Sequence, residues 1–243
     1  MSTPGTRAPV TAGTALRARL ALTEPAVRAA TGWLWRPDGL GRRYAVYLPV
    51  MHAVIRASVP LMERAAERST ALGATDAVGA PLAAYLREHV EEERGHDEWL
   101  LGDIAALGGD PAAVRARQPP PEVARFVGTQ YYWIEHHHPV ALLGYIAVLE
   151  SCAPAPWLAE RIAEAAGVPR AALRTVREHA ELDTDHTADL FALVDTLPIG
   201  PVLVNALTTS ALHTVSGLLD LFARIDRAAC VDENPARGGT STS

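Results

Sequence analysis

The sequence contains little cysteine, no long run of basic residues and no long apolar stretch. Its two cysteines, Cys152 and Cys230, do not make a disulfide framework in a chain of 243 residues, which fits a reducing compartment. The 22 basic residues are outnumbered by 28 acidic ones, so nucleic acid is not an expected partner. Because we find neither a signal peptide nor about 18 consecutive apolar residues, we expect no membrane span and a cytoplasmic location.

Strand-like alternation of apolar and polar residues is also missing. Apolar residues recur instead at every third or fourth position, and Ala, Leu, Arg and Glu dominate, as in amphipathic helices. We therefore predict an all-α fold consisting of a single bundle of seven to eight helices. The two ends, 1–11 and 232–243, are rich in Gly, Pro, Ser and Thr and are predicted to be flexible tails, which leaves 12–231 as the one domain.

Two segments differ from this background because each carries a histidine, a carboxylate and a second histidine. The first, HVEEERGHDEW, contains His89, Glu93 and His96 within a helix predicted over about 76–107. Residues i, i+4 and i+7 of one helix lie within an arc of about 60°. The spacing therefore predicts that these three side chains share one face of a single helix.

The second segment, HAELDTDH, repeats this spacing with His179, Asp183 and His186 in a helix predicted over about 170–196. A further carboxylate, Glu150, closes the stretch PVALLGYIAVLES, which is apolar on nearly every side and therefore belongs at the centre of the fold. A charge buried there is costly unless something compensates it. Imidazole and carboxylate ligands without thiolate suit iron or manganese, and bridging carboxylates suit a pair of metal ions. We predict that the two helices face each other and hold metal.

These residues also resemble those of a known family. The pattern E-x-x-H-x-x-W in EEERGHDEW, the glutamate that closes LLGYIAVLES and H-x-x-x-D-x-x-H in HAELDTDH are similar to the motifs of the haem-oxygenase-like diiron oxidases, over about 44–221. The resemblance implies a haem-oxygenase-like fold, two iron ions that cycle between Fe(II) and Fe(III), and O2 as co-substrate. His89 rests on helical geometry alone and is either a seventh ligand or a neighbour of the ligands. Glu91 and Glu92 lie off the predicted face and either face solvent or orient a ligand from outside. The iron ligands that the resemblance implies are Glu93, His96, Glu150, His179, Asp183 and His186.

The resemblance further implies an enzyme that oxidises or oxygenates a small substrate, and we expect an amino-acid-derived one used in specialised metabolism. N-oxygenation and oxidative C–C or C–H cleavage are both open, as is the external reductant, which a redox partner would supply. Arg56 or Arg87 is a candidate partner for a substrate carboxylate. A homodimer is expected only because homodimers are the commonest assemblies of soluble proteins. The aromatic residues predicted to line the substrate pocket are Trp99, Tyr131, Tyr132 and Tyr145.

Three other functions are open at this point. A true haem oxygenase on the same fold would need a proximal histidine, and His52 is a residue of that type. A metal-free relative of the thiaminase or quinone-cofactor type would leave the two histidine segments without a purpose. A non-catalytic iron-binding protein would take up iron without O2-dependent turnover.

Overall fold

The computed structural model describes residues 10–231, except for the side chains of residues 183–185 and 231. Within that range the chain forms eleven α-helices, three single-turn 3₁₀ helices and no strand, so the all-α prediction is confirmed. The predicted tails, 1–11 and 232–243, lie outside the described residues apart from residues 10 and 11. The α-helices are α1 (Ala12–Leu34), α2 (Leu40–Ile55), α3 (Ser58–Leu72), α4 (Gly79–Glu93), α5 (His96–Ala106), α6 (Pro111–Ala116), α7 (Pro121–His136), α8 (Leu142–Ser151), α9 (Leu158–Ala166), α10 (Arg174–Thr196) and α11 (Pro201–Val231).

The helix count exceeds the predicted seven to eight because the helices that the apolar spacing predicts over about 41–68 and 76–107 are each divided. The chain turns at Arg56 and Ala57, which separates α2 from α3, and Pro60 then lies in the first turn of α3, where its missing N–H is tolerated. A second break separates α4 from α5. The short helix α6 forms in a segment for which no helix was predicted.

Helix α8 occupies the centre of the bundle, as its apolar sequence predicts. Every residue from Leu142 to Val148 is buried, and α8 packs against both α10 and α11. Gly144 allows this packing, because a Cβ atom at that position would lie 2.2 Å from the carbonyl oxygen of Leu207 in α11. The close approach of the two backbones brings the end of α8, and with it Glu150, into the interior.

The start of α10 is fixed by a residue from another helix. The buried Asp103 of α5 accepts hydrogen bonds from the backbone N–H groups of Arg174 and Thr175, each at 3.0 Å. These N–H groups have no partner within their own helix, so the carboxylate acts as an N-cap supplied from α5. The cap holds α10 in register with α5, which matters because each of these helices carries residues of the site described below.

Two stretches of the described chain, Leu40–Thr75 and Pro201–Cys230, are long and apolar enough to cross a membrane by length and composition. The same properties are typical of a core helix in a soluble protein, and the stretches supply core residues such as Leu48 and Leu221. The finding is therefore weak evidence for a membrane span.

Candidate metal centre

The helix predicted to carry His89, Glu93 and His96 together ends between the second and the third of them. Helix α4 stops at Glu93, Arg94 is extended, and Gly95 adopts a left-handed conformation with φ of +90° before α5 begins at His96. Glycine takes up such a conformation at little cost, which is why it commonly ends helices. The prediction that all three residues share one helical face is therefore wrong.

The break pairs His89 with residues from two other helices. His89 of α4, Glu150 of α8 and His186 of α10 each offer a ligand atom, and these atoms lie within 4.8 Å of one another. Nε2 of His89 lies 3.0 Å from Oε1 of Glu150. The rings of His89 and His186 meet nearly edge to face, with centroids 5.1 Å apart. We call these three residues the first cluster.

Glu93, His96 and His179 form a second cluster, and its ligand atoms again lie within 4.8 Å of one another. Nδ1 of His96 lies 3.2 Å from Oε2 of Glu93. Nδ1 of His179 is 2.9 Å from the carbonyl oxygen of Thr175. Because a carbonyl only accepts, Nδ1 carries the hydrogen, and Nε2 keeps its lone pair for a metal ion.

Glu93 lies between the two clusters. Its Oε2 faces His96, whereas its Oε1 lies 3.9 Å from Nδ1 of His186, a residue of the first cluster. The carboxylate thus offers one oxygen to each side, which is the arrangement that a carboxylate bridging two metal ions requires.

Several buried polar atoms of the two clusters have no hydrogen-bond partner among the described residues. They are Nδ1 of His96, Nδ1 of His186 and both carboxylate oxygens of Glu150. The 3.0 Å approach of His89 to Glu150 is an ion-pair distance, but the N–H direction does not meet the oxygen as a hydrogen bond requires. Leaving a buried polar group unpaired costs about 1–3 kcal/mol. A metal cation is a partner that fits this set of nitrogen and oxygen donors.

Burial and neighbouring charges shift the pKa values of the two clusters in different directions. Burial raises the pKa of Glu150. Burial also acts to lower the pKa of His89, but the neighbouring carboxylates, Glu150 first among them, outweigh it and raise that pKa to about 9. Burial lowers the pKa of His179, which favours its neutral, ligating form. For Glu93, burial acts to raise the pKa, but His96 and the other imidazoles lower it overall, so this carboxylate is ionised.

Glu92 lies beside the first cluster, which is one of the two positions that the sequence left open for it. Its Oε2 lies 3.0 Å from Nδ1 of His89 and 3.7 Å from Nε2 of His186. The side chain is half-exposed, whereas the two rings that it contacts are largely buried. A carboxylate that accepts the Nδ1 hydrogen of a histidine directs the other ring nitrogen towards a metal ion.

A cavity of about 130 Å³ adjoins both clusters. Its polar wall includes His89, Glu93, Glu150 and His179, and the remainder of the wall is mainly apolar. None of the described residues that line it is an arginine or a lysine. The apolar lining includes Met51, Leu61, Met62, Ile146, Leu218 and Phe222.

The arginines predicted as partners of a substrate carboxylate lie elsewhere. Arg87 donates to the hydroxyl of Thr70 at an exposed position, and Arg56 lines a groove on another face of α2. Neither lines the cavity. A substrate in the cavity would therefore meet its polar partners at the metal centre and at hydroxyl groups of the wall.

The four predicted pocket aromatics take different positions. Tyr145 lines the cavity, and its buried hydroxyl lies next to Ser58 without forming a hydrogen bond of ordinary geometry. Trp99 instead stacks on His96, with centroids 4.0 Å apart, and the guanidinium of Arg174 lies over the indole ring. Tyr131 and Tyr132 lie on the exposed side of α7 and do not line this cavity. Successive residues of a helix point about 100° apart. The buried side of α7 consists of Val123, Phe126, Gln130 and Ile134.

Asp183 belongs to α10, but its side chain lies outside the described residues. Its neighbours one helical turn away on either side, His179 and His186, lie in different clusters. The implied role of Asp183 as an iron ligand therefore stays a prediction.

Comparison with known proteins places the sequence in a family. Residues 69–215, a segment that contains every candidate ligand, match the sequence family described as iron-containing redox enzyme. The chain belongs to this family. Membership in the iron-containing redox enzymes agrees with the resemblance inferred from the motifs. None of the curated proteins matches the sequence.

Solved structures share the fold of this iron-containing redox enzyme. A domain of unknown function with a haem-oxygenase-like fold from Shewanella denitrificans superposes with a TM-score of 0.71 at 15% identity, covering 95% of each chain. A TenA homologue from Pseudomonas syringae pv. tomato gives a TM-score of 0.70 at 12% identity, covering 93% of this chain and 100% of the homologue. A CADD-like protein of unknown function from Nostoc punctiforme gives 0.60 at 18% identity, covering 77% and 82%. The predicted haem-oxygenase-like fold is confirmed.

Proposed function

We propose that the protein is an O2-dependent, non-haem diiron oxidoreductase. One iron would be held by His89, Glu150 and His186, and the other by Glu93, His96 and His179, with Asp183 as a further ligand. The observation that carries this proposal is the position of Glu93, whose two carboxylate oxygens face different clusters. Buried nitrogen and oxygen atoms without partners support it.

Iron bound at this centre would supply the electrons that reduce O2, and the protein's own groups would organise the reaction. The mainly apolar cavity excludes water and holds the substrate next to both clusters. Hydrogen bonds at Nδ1 of His89 and Nδ1 of His179 set the tautomers of these rings. Asp103, by capping α10, keeps His179 opposite His96.

The substrate that we propose is small and amino-acid-derived, with an apolar portion. Its apolar portion would contact Met62 and Ile146 in the cavity wall. Its polar end would lie at the metal centre, since no arginine or lysine among the described residues lines the cavity. The hydroxyl of Tyr145, next to Ser58 in the cavity wall, would donate a hydrogen bond to it. N-oxygenation and oxidative C–C or C–H cleavage are both compatible with this placement.

The rival functions have less support. His52 is buried on α2 but lies away from the cavity, so a haem held by this residue would not occupy it. Similarity to a TenA homologue concerns the fold alone. A metal-free or purely iron-binding protein would have no use for both the unpartnered cluster atoms and the adjoining apolar cavity.

The proposal is tested by anaerobic titration with Fe(II), followed by exposure to O2 with a panel of amino acids and short fatty acids. We expect two iron ions per chain and O2 consumption that at least one member of the panel accelerates. Failure of the protein to bind iron would refute the diiron assignment. Binding of two irons without any O2 consumption would favour an iron-binding protein.

Glu92→Ala is expected to weaken binding of one metal ion about 10–100-fold, because the first cluster would lose the carboxylate that orients His89. Glu92→Gln keeps an acceptor oxygen and should lose less affinity for that metal ion. The control is Glu91→Ala, since exposed Glu91 pairs with Arg94 and does not contact the cluster. Anaerobic calorimetric titration of the four proteins with Fe(II) measures the effect. Equal affinities for Glu92→Ala and Glu91→Ala would contradict the orienting role.

Cys152, which lines the cavity, is expected to react slowly with a thiol reagent at neutral pH. Burial raises the pKa of its thiol to about 11, and only the thiolate is nucleophilic. The thiolate fraction should therefore rise about tenfold per pH unit until the pH reaches that pKa. Cys230 is exposed and serves as the internal reference. Reaction with a chromogenic disulfide should show one fast and one slow thiol, and Cys152→Ser should remove the slow phase. Two equally fast thiols at neutral pH would contradict the prediction.

A further inference from the structure

A groove of about 800 Å³ runs between α2, α11 and the segment that joins α6 to α7. We call it the basic groove, because its described lining residues include four arginines and no aspartate or glutamate. These are Arg56, Arg117, Arg224 and Arg227. The whole chain has a net charge of −6, so the groove differs in sign from the protein that contains it.

Most of this positive charge is not compensated. Arg224 and Arg227 approach the single carboxylate of Glu122 at 3.6 and 4.0 Å. Arg56 and Arg117 are exposed and form no ion pair with a carboxylate in the described part of the chain. One carboxylate thus forms ion pairs with two of the four guanidinium groups, and Asp97 and Glu98 lie near His52 in the groove wall. The groove should attract a partner with negative charge.

The floor of the basic groove is apolar, which suits a protein partner better than a small anion. Val46, Pro49 and Val50 of α2 lie there, next to Val114 of α6 and the prolines 119–121. Apolar floors with arginine at the edge are typical of protein interfaces. A small anion would gain from the arginines but would leave this apolar surface uncovered.

Helices α2 and α11 form a wall between the basic groove and the metal-centre cavity. On α2, Met51 and Val54 face the cavity, whereas Val46 and Val50 face the groove. On α11, Leu218 and Phe222 line the cavity, and Arg224 and Arg227 line the groove. A wall one helix thick is about 10 Å across. The groove therefore lies close to the candidate metal centre but is separated from its substrate.

Where the substrate does not supply all the electrons that reduce O2, the proposed function needs a second electron donor. Ligand pockets for cofactor-sized molecules typically measure about 300–1,000 Å³. A cavity of about 130 Å³ is too small to hold a flavin or a nicotinamide together with a substrate. Electrons from such a donor would then reach the iron centre through the protein wall, from a carrier that binds the surface.

We propose that the basic groove is the docking surface for a small, acidic, one-electron carrier protein that reduces the iron centre across the α2–α11 wall. In each encounter one carrier molecule is oxidised by one electron and one Fe(III) is reduced to Fe(II). Two encounters restore the iron pair. The inference rests on the proposed diiron function. Electron-transfer complexes bury little surface and depend on complementary charge, as an arginine-lined groove provides.

The test uses the full-length, iron-loaded protein and a reduced acidic [2Fe–2S] ferredoxin as the probe, mixed anaerobically in a stopped-flow instrument. Arg117→Glu and Arg56→Glu are compared with Arg19→Glu, an equal change of charge at an exposed position of α1 outside the groove. We expect the groove variants to lower the second-order rate of iron reduction about tenfold or more at low ionic strength, and the control to lower it about twofold at most. Added salt should slow the parent protein and affect the groove variants little.

Reduction by methyl viologen, a small donor that needs no docking site, separates docking from damage to the iron centre. Equal rates for all variants with this donor support the proposal, and a loss with both donors overturns it. Equal ferredoxin rates for Arg117→Glu and Arg19→Glu at unchanged iron content would also overturn the docking surface while leaving the diiron function intact. Stoichiometric binding of inorganic pyrophosphate in the groove at micromolar concentration would identify a small-anion site and refute the proposal. If the parent protein fails to bind two irons, the proposed function itself fails.

Discussion

Glu93→Ala is expected to abolish stoichiometric binding of both metal ions, whereas Glu150→Ala weakens only one. Glu93 presents one oxygen to His96 and the other to His186, so its removal takes a ligand from each cluster. Glu150 lies with His89 and His186 in the first cluster only. Loss of a group that merely orients a ligand costs about 10–100-fold in affinity, and loss of a shared ligand should cost more than that at both sites.

Anaerobic Fe(II) titration with colorimetric iron analysis measures this difference directly. The parent protein should bind two irons per chain tightly. Glu150→Ala should bind one iron tightly and one weakly, and Glu93→Ala should bind no iron tightly. His179→Ala should also bind one iron tightly and one weakly, but the weakened site should be the second cluster. Far-ultraviolet circular dichroism of each variant serves as the control for folding. A Glu93→Ala protein that retains one tight iron would show that the carboxylate belongs to a single cluster.

The composition of the two clusters could not be predicted from helical spacing. Both flanks of Gly95 are rich in helix formers, which favours one continuous helix through His89, Glu93 and His96. Gly95 was the signal for a break, but an isolated glycine within a helical pattern is often tolerated. The tertiary fold decides the outcome, because only packing against α8 and α10 brings His89 to Glu150 and His96 to His179.

Burial of Glu150 was predictable from local sequence, whereas the sequence left Glu92 open between facing solvent and orienting a ligand. The carboxylate follows an apolar helix with no polar face, and it is 8% exposed in the structure. Glu92 lies in a run of charged residues that normally faces water. Its contact with His89 and His186 depends on the distance between α4 and α10, which no pattern along one helix encodes.

Gly144→Ala is expected to destabilise the protein by about 3 kcal/mol or more, at the upper end of the range for overpacked cores. The added Cβ would lie 2.2 Å from the carbonyl oxygen of Leu207 and 2.8 Å from the amide nitrogen of Ala211. These are backbone atoms that no rotamer change can move, so α8 and α11 would have to separate. For a domain of this size the melting temperature should fall by roughly 6–12 °C, as followed by circular dichroism.

The matched control is Gly102→Ala in α5, where the added Cβ meets no atom within 4 Å. That variant should gain about 0.5–1 kcal/mol, because alanine loses less backbone entropy than glycine in a helix. The same substitution is thus expected to lower the stability at Gly144 and to raise it at Gly102. Contact of Gly144 with α11 is the cause of the difference. A second readout links packing to the site: displacement of α8 moves Glu150, so Gly144→Ala should also weaken one iron site, which Gly102→Ala should not. Unchanged melting and iron binding in Gly144→Ala would mean that the α8–α11 contact does not position the first cluster.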